Sequence, residues 1–301
     1  MSLKNSFALP DAALVTTCFF WGLNAVITKS AVGDVPETFR VFIYNGLRVP
    51  AGALLLILTV KLSDGSPVIK WHHIRYMASL AFFGMFMFMV SYILGISMTS
   101  SANTGIITAT TPLFILAISF ISGIEHPTTR MVTGISVGFC GMIALTFKKG
   151  GISLNIGDFL ILCSSLFWAI HTVYGKKMLT FYSPLVTTVW VYLFTSLYQL
   201  PLVFSQLPNQ TFSAVSPMNW FYLSVSTVCS IFLANSLYYY SINKIGPSRA
   251  GVYTNLTPVF TLILAVIIRG ETISPLQIIG LLVIISGIAI TKSDSRAQAL
   301  R

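Results

Sequence analysis

Few residues in this chain could do chemistry, and most of those fall at helical spacing inside apolar runs. Thr17, Trp21, Asn24 and Thr28 stand at i, i+4, i+7 and i+11, so one face of a helix carries all four. Ser164, Trp168, His171 and Gly175 repeat that spacing 147 residues further on. A polar group facing hydrocarbon is costly, so such stripes turn toward neighbouring helices or a wet cavity. Small hydroxyls such as Thr17 and Ser164 fit the role of glue between helices. Asn24 and His171 are larger and sit deeper, and they read as the lining of a binding chamber. Trp21 and Trp168 lie too far into their runs for the interfacial belt where membrane tryptophans gather, so they flank the same chamber.

Arg48 is the one strong charge near the middle of an apolar run, and an arginine at that depth is a functional candidate by default. Two readings of it stand. Its donors could hold backbone carbonyls, among them that of Gly46, which Pro50 leaves without an N–H partner. They could equally hold the carboxylate of a bound solute. Tyr92 and Tyr238, a matched pair, and Asn235 add groups that want polar partners. Thr108 and Thr254 share faces with the dipeptides Thr111-Pro112 and Thr257-Pro258. Proline inside a helix removes a hydrogen bond and kinks the rod, which makes Pro112 and Pro258 expected hinges along a pathway.

What is missing narrows the chemistry. The eight acidic residues all fall at the ends of apolar runs or between them, so no carboxylate sits at mid-depth to carry a proton or hold a cationic solute. Asp11 and Asp158 read as first-turn acids, and Glu125 and Glu271 as acids placed to favour the positive end of a helix dipole. If transport of a solute were coupled to protons, His171 would have to carry the coupling. There is no HExxH, GxSxG or P-loop pattern, and His72, His73, His126 and His171 do not fall at ligand spacing. Cys18, Cys140, Cys163 and Cys229 lie inside apolar runs without a CxxC pair and read as packing residues. The expectation is therefore no enzyme, no metal and no cofactor.

The elements that must position these residues are membrane helices. Only 9% of the residues are charged, 55% are apolar and the mean hydropathy is +0.81, which no soluble domain of 301 residues would carry. Helices are expected near residues 11–31, 38–60, 72–96, 101–123, 129–147, 157–178, 184–204, 218–243, 248–269 and 274–292, all in one domain spanning 1–301. A net charge of +10 would point to nucleic acid in a soluble chain. Here the charge follows the excess of Lys and Arg in cytoplasmic segments. With both termini inside, twelve of the 18 basic residues fall on the cytoplasmic side and five outside, Arg48 being the remaining one.

The chain also resembles itself. A shift of 147 lays Asp11 on Asp158, Phe20-Trp21 on Phe167-Trp168 and Lys29 on Lys176. A shift of 146 lays Tyr92 on Tyr238, Gly105 on Gly251, Thr111-Pro112 on Thr257-Pro258, Glu125 on Glu271, Gly134 on Gly280 and Gly141 on Gly287. The two repeats cover about 11–147 and 157–292. Five helices is an odd number, so the second repeat must enter the membrane from the opposite side, as an inverted repeat.

The Phe-Trp pairs, Arg48, and the run from Ser101-Ala102-Asn103-Thr104-Gly105 through Thr111-Pro112-Leu113-Phe114 to Glu125, Gly134 and Gly141 carry a resemblance. The second copy runs from Pro247-Ser248-Arg249-Ala250-Gly251 through Thr257-Pro258-Val259-Phe260 to Glu271, Gly280 and Gly287. Over essentially its whole length the chain resembles the drug/metabolite transporter superfamily, in its EamA-type branch of ten-helix carriers. YddG-type amino-acid exporters are one subgroup of that branch. The resemblance implies an all-α integral membrane protein of the inner cell membrane that exports or exchanges a small metabolite, an amino acid foremost. Its partners would be a small-molecule substrate and the lipid bilayer, with no nucleic acid; monomer and homodimer both stay open. Related branches exchange phosphorylated or nucleotide-linked sugars, and a scaffold or lipid-handling protein without transport is the reading from another class.

Overall fold

The computed structural model describes residues 3–63, 65–99, 104, 107–146, 155–269 and 274–299. Ser101, Ala102, Asn103, Gly105, Lys148, Lys149 and Glu271 lie outside them. Among the described residues, ten longer helical elements are labelled in chain order. They are α1 (Leu3–Ala31), α2 (Val41–Ser63), α3 (Trp71–Met98), α4 (Thr111–Ile121), α5 (Thr129–Thr146), α6 (Ile156–Met178), α7 (Pro184–Tyr198, continued as Leu200–Gln206), α8 (Pro217–Ile245), α9 (Pro247–Tyr253, resumed as Leu256–Arg269) and α10 (Pro275–Ala299). Six are long and apolar enough to cross a membrane, and the two parts of α7, bent by 44° just before Pro201, give a seventh if taken together. The apolar stretches Thr111–Ile121, Thr129–Ala144 and Pro275–Thr291 are shorter.

The polarity of the fold is inside out. Leu54, Leu58 and Leu62 of α2 stand exposed on one stripe, as do Leu282 and Ile285 of α10. Meanwhile Thr17, Ser164, Ser165, Thr172, Thr187, Thr195 and Ser241 are fully or almost fully buried. Water would select the opposite distribution. A bilayer puts large apolar side chains on its own side and sends hydroxyls to helix contacts, where they bond to carbonyls. Thr17 shares its one hydroxyl proton between the carbonyls of Ala13 at 2.9 Å and Ala234 at 3.1 Å.

The packing follows the sequence shift. α1 packs on α8 and α9, and its counterpart α6 packs on α3 and α4. α2 lies on its own counterpart α7, and α5 on its own counterpart α10. The α5–α10 seam is built from glycine. A Cβ added at Gly134 would stand 2.6 Å from the Gly287 carbonyl oxygen, and one at Gly141 would stand 2.9 Å from that of Gly280, distances no real side chain tolerates. Gly134 corresponds to Gly280 and Gly141 to Gly287, so exchanging the repeats turns one contact into the other.

Two backbone features escape the sequence pattern. α3 widens to a π-helix over Ala81–Phe86 and α8 does the same over Thr227–Ala234, with starts 146 residues apart. A π-turn displaces carbonyls from their usual donors. In α8 the amide of Asn235 takes them up, donating to the carbonyls of Ser230 at 2.6 Å and Ile231 at 3.4 Å. The prolines also act differently from expectation. Pro112 and Pro258 do not kink a continuous rod. Each stands in the first turn of a helix that starts after a two-residue turn, at 109–110 and 254–255, where a missing N–H costs nothing.

Candidate functional site

The two tryptophans meet at the middle of the bundle. α1 and α6 bring Trp21 and Trp168 into an edge-on contact with ring centroids 5.2 Å apart, the geometry aromatic quadrupoles prefer. α8 adds Tyr238, whose ring lies 5.1 Å from Trp21 and 5.7 Å from Trp168 and whose hydroxyl is 3.2 Å from that of Thr172. Phe88 of α3 reaches Trp168 at 4.9 Å, and Tyr92 stacks on Phe88 at 5.7 Å, so Tyr92 joins this aromatic group one ring further out.

His171 lies one turn along α6 from Trp168, with ring centroids 5.3 Å apart. It is fully buried, its Nδ1 is 3.3 Å from the hydroxyl of Tyr239, and its Nε2 has no hydrogen-bond partner. Gly84 in the π-turn of α3 makes this possible, since a Cβ there would come within 2.9 Å of the His171 Cα. Gly175 does the same for Tyr239, where a Cβ would stand 2.5 Å from the ring.

Toward the C-terminal end of α1 the site changes character. Arg48, two turns into α2, donates through Nε to Asn45 Oδ1 at 2.8 Å. Its Nη1 donates to Asn24 Oδ1 at 3.0 Å and to Ser226 Oγ at 2.8 Å. The ring of Tyr44 lies under the guanidinium, 5.3 Å from its carbon. These contacts go to side chains of α1, α2 and α8, so the first of the two sequence readings, in which Arg48 holds carbonyls loosened by Pro50, is not how it is held.

Trp21, Trp168, Tyr238 and His171 thus gather at the centre, Asn24 and Arg48 in an adjoining polar cluster, and Tyr92 beside the rings. Asn235 is almost wholly buried and turned onto its own helix, clasping the π-turn. Thr108 and Thr254 bond back to the carbonyls of Thr104 at 2.8 Å and Gly251 at 2.7 Å, next to the two helix breaks. Sequence reasoning missed Asn45, Ser226, Tyr44, Thr172 and the part played by Tyr239. Asn45 carried a signal, standing three residues before Arg48 on the same helix face. Ser226 carried none beyond being a hydroxyl in an apolar run.

The acids at the helix ends are engaged. Asn155 and Asp158 form a capping box at the start of α6, as expected of a first-turn acid, and Thr99 donates to Asp158. Asp11 departs from expectation. α1 begins at Leu3, so Asp11 lies two turns inside it, and it accepts from the Tyr253 hydroxyl at 2.7 Å. Glu125 does serve a helix start, but across the repeats. Its Oε2 accepts from the backbone N–H of Ser248 at 2.9 Å, at the head of α9, where Gly246 adopts a φ of +86°.

An all-helical chain with an inside-out polarity and an aromatic and polar centre is a multi-pass membrane protein. Residues 9–147 and 155–292 each match the model of the EamA-like transporter family, and the chain belongs to that family. It is 27% identical over 276 residues to the uncharacterized transporter YetK of Bacillus subtilis (strain 168), covering 90% of this chain and 82% of the relative. It is 25% identical over 285 residues to the uncharacterized inner membrane transporter YedA of Escherichia coli (strain K12), covering 92% and 89%. A chain from a solved crystal structure superposes with a TM-score of 0.77 at 18% identity over 99% of both, a likeness of fold. The protein is a membrane transporter and not an enzyme.

Proposed function

We propose that this transporter exports or exchanges a small metabolite, an amino acid foremost, by alternating access between two inverted five-helix repeats. In this reading all ten helices cross the inner cell membrane, the repeats cover about 11–147 and 157–292, and both termini face the cytoplasm. The observation that carries it is the Trp21–Trp168 contact at 5.2 Å, because these residues are each other's counterparts. A contact between counterparts lies on the axis that exchanges the repeats, which is where an inverted-repeat carrier keeps its substrate. The glycine contacts of the α5–α10 seam support the same axis. Trp21, Trp168 and Tyr238 would then flank the substrate, with His171, Asn24, Arg48, Tyr92, Thr108 and Thr254 around them, while Asn235 holds the π-turn of α8 beside them.

The test is solute counterflow in proteoliposomes with a radiolabelled panel of amino acids, sugar phosphates and nucleotide sugars. Exchange of one or more amino acids, reduced at least about tenfold by Trp21→Ala or Trp168→Ala, is the expected result. Exchange of sugar phosphates alone would replace the substrate class, and the absence of any flux would favour a scaffold. A cysteine placed in the 205–217 segment should react with an impermeant reagent from outside, and one placed at 65–70 should not.

A further inference from the structure

We infer that Arg48 is the seat of a substrate carboxylate, an assignment that rests on the transport reading above and adds to it the charge its substrate must carry. The cluster around Arg48 crowds its donors onto one amide oxygen, with the Tyr44 hydroxyl, 3.5 Å from Thr28 Oγ1, the other acceptor within reach of Thr28. Asn24 Oδ1 receives Arg48 Nη1 at 3.0 Å, Thr28 Oγ1 at 3.2 Å and the Ser226 hydroxyl, three donors on an oxygen with two lone pairs. The remaining guanidinium acceptors are Asn45 Oδ1 and Ser226 Oγ, both neutral.

Among the described residues no carboxylate answers the charge. Among the described residues the ion pair present is Arg40 with Asp34 at 3.4 Å, well away from this cluster. A cation held inside a membrane protein is ordinarily paired, and an intramembrane charge marks a substrate or ion pathway by default. The arrangement is also one-sided. The 147 shift places Thr195 at the counterpart of Arg48 and His171 at that of Asn24, so the equivalent positions of the other repeat carry no second guanidinium.

One guanidinium selects a monoanion. Its planar fork matches the two oxygens of a carboxylate, whereas a phosphate dianion calls for several cations. Tyr44 closes one face of the guanidinium, which fixes the plane of the fork. The spacing suits a small zwitterion. Asn24 follows Trp21 by three residues, a rise of roughly 4.5 Å, so a carboxylate on Arg48 would lay the rest of an amino acid against Trp21, Trp168 and Tyr238.

The test compares phenylalanine, leucine and glutamine with their amides and decarboxylated amines, by counterflow with the full-length wild-type protein in proteoliposomes. At least one acid should exchange with a KM lower than those of its amide and amine by about tenfold or more, the size of a charge-assisted bond. Arg48→Lys should raise the KM for that acid about tenfold, because a point charge does not reproduce the fork. The wild-type comparison stands even if Arg48→Lys fails to insert. Amides exchanging as well as acids, unchanged KM in Arg48→Lys, or exchange of other solutes with none of the acids would each overturn the assignment while leaving transport intact. No flux of any solute would take down the transport reading and this one with it.

Discussion

The two ends of the molecule are built from corresponding helices and packed differently. At one end the C-terminal halves of α6 and α8 lie together. Thr172 is fully buried with its hydroxyl 3.2 Å from Tyr238, Tyr239 fills the space over Gly175, and Lys176 Nζ reaches the Asn243 carbonyl at 2.7 Å. The counterparts at the other end are α1 and α3, which among the described residues make no contact of comparable extent. Ala25, the counterpart of Thr172, is exposed. The same repeat is therefore closed at the α6–α8 end and parted at the α1–α3 end. In the proposed topology the parted end faces outward, and the Arg48 cluster and the rings of Trp21 and Trp168 are what it leads to. Alternating access would close α1 on α3 as α6 leaves α8.

Sequence differences between counterparts say which contacts hold the closed end. Gly175 corresponds to Thr28, and a Cβ at Gly175 would stand 2.5 Å from the Tyr239 ring. Gly175→Thr, which carries the residue of the parted end into the closed one, is expected to cost that end about 1–3 kcal/mol by overpacking. That should raise the reactivity of a cysteine at Lys177 toward an impermeant reagent in inside-out vesicles roughly 5- to 150-fold. Unchanged reactivity would mean that the glycine does not govern closure. Tyr239→Phe removes the hydroxyl from His171 Nδ1 and leaves that buried ring without a hydrogen bond. Thermal unfolding in detergent should report a loss of about 1–2 kcal/mol, while the same change at Tyr240 should do less.

Smaller effects sharpen the contrast. Thr172→Val keeps the shape and removes the bond to Tyr238, so a loss of about 0.5–1.5 kcal/mol in closed-end stability is expected. It should be visible as faster cysteine labelling at the α6–α8 end only. Ala25→Thr at the parted end should change thermal stability by less than about 0.5 kcal/mol, since the position is exposed. A large loss there would indicate that α1 and α3 already touch in the resting protein.

Much of this was legible in the sequence because membrane burial leaves few polar residues, and each must have a use. The offset of 146–147 residues foretold which tryptophans would meet, and the depth of Arg48 marked it as a functional candidate. The π-turns were not legible, since Ala81–Phe86 and Thr227–Ala234 are apolar stretches whose composition fits an ordinary helix equally well. Asn235 read as a cavity residue for that reason, when its amide is spent on carbonyls the π-turn releases. The prolines misled in another way. Proline identity says where an N–H is missing, but whether the chain kinks or restarts depends on the turn before it. The difference between the two ends was beyond reach altogether, because near-equivalent sequences in two repeats can adopt either arrangement and only packing reveals which one is taken.

The central claim is that the two ends open and close in opposition, and distances between spin labels test it most directly. Lys177 and Lys244 mark the α6–α8 end, and their counterparts Ser30 and Met98 mark the α1–α3 end; all four positions are exposed. Each pair would be replaced by cysteine in a background lacking the four native cysteines, labelled, and measured by pulsed electron resonance in lipid with and without an amino acid that exchanges. In the resting protein the 177–244 distance should be the shorter, and the exchanging solute should populate a second arrangement in which 30–98 shortens as 177–244 lengthens. Distances that stay fixed in both pairs, or that move in the same direction, would contradict the account.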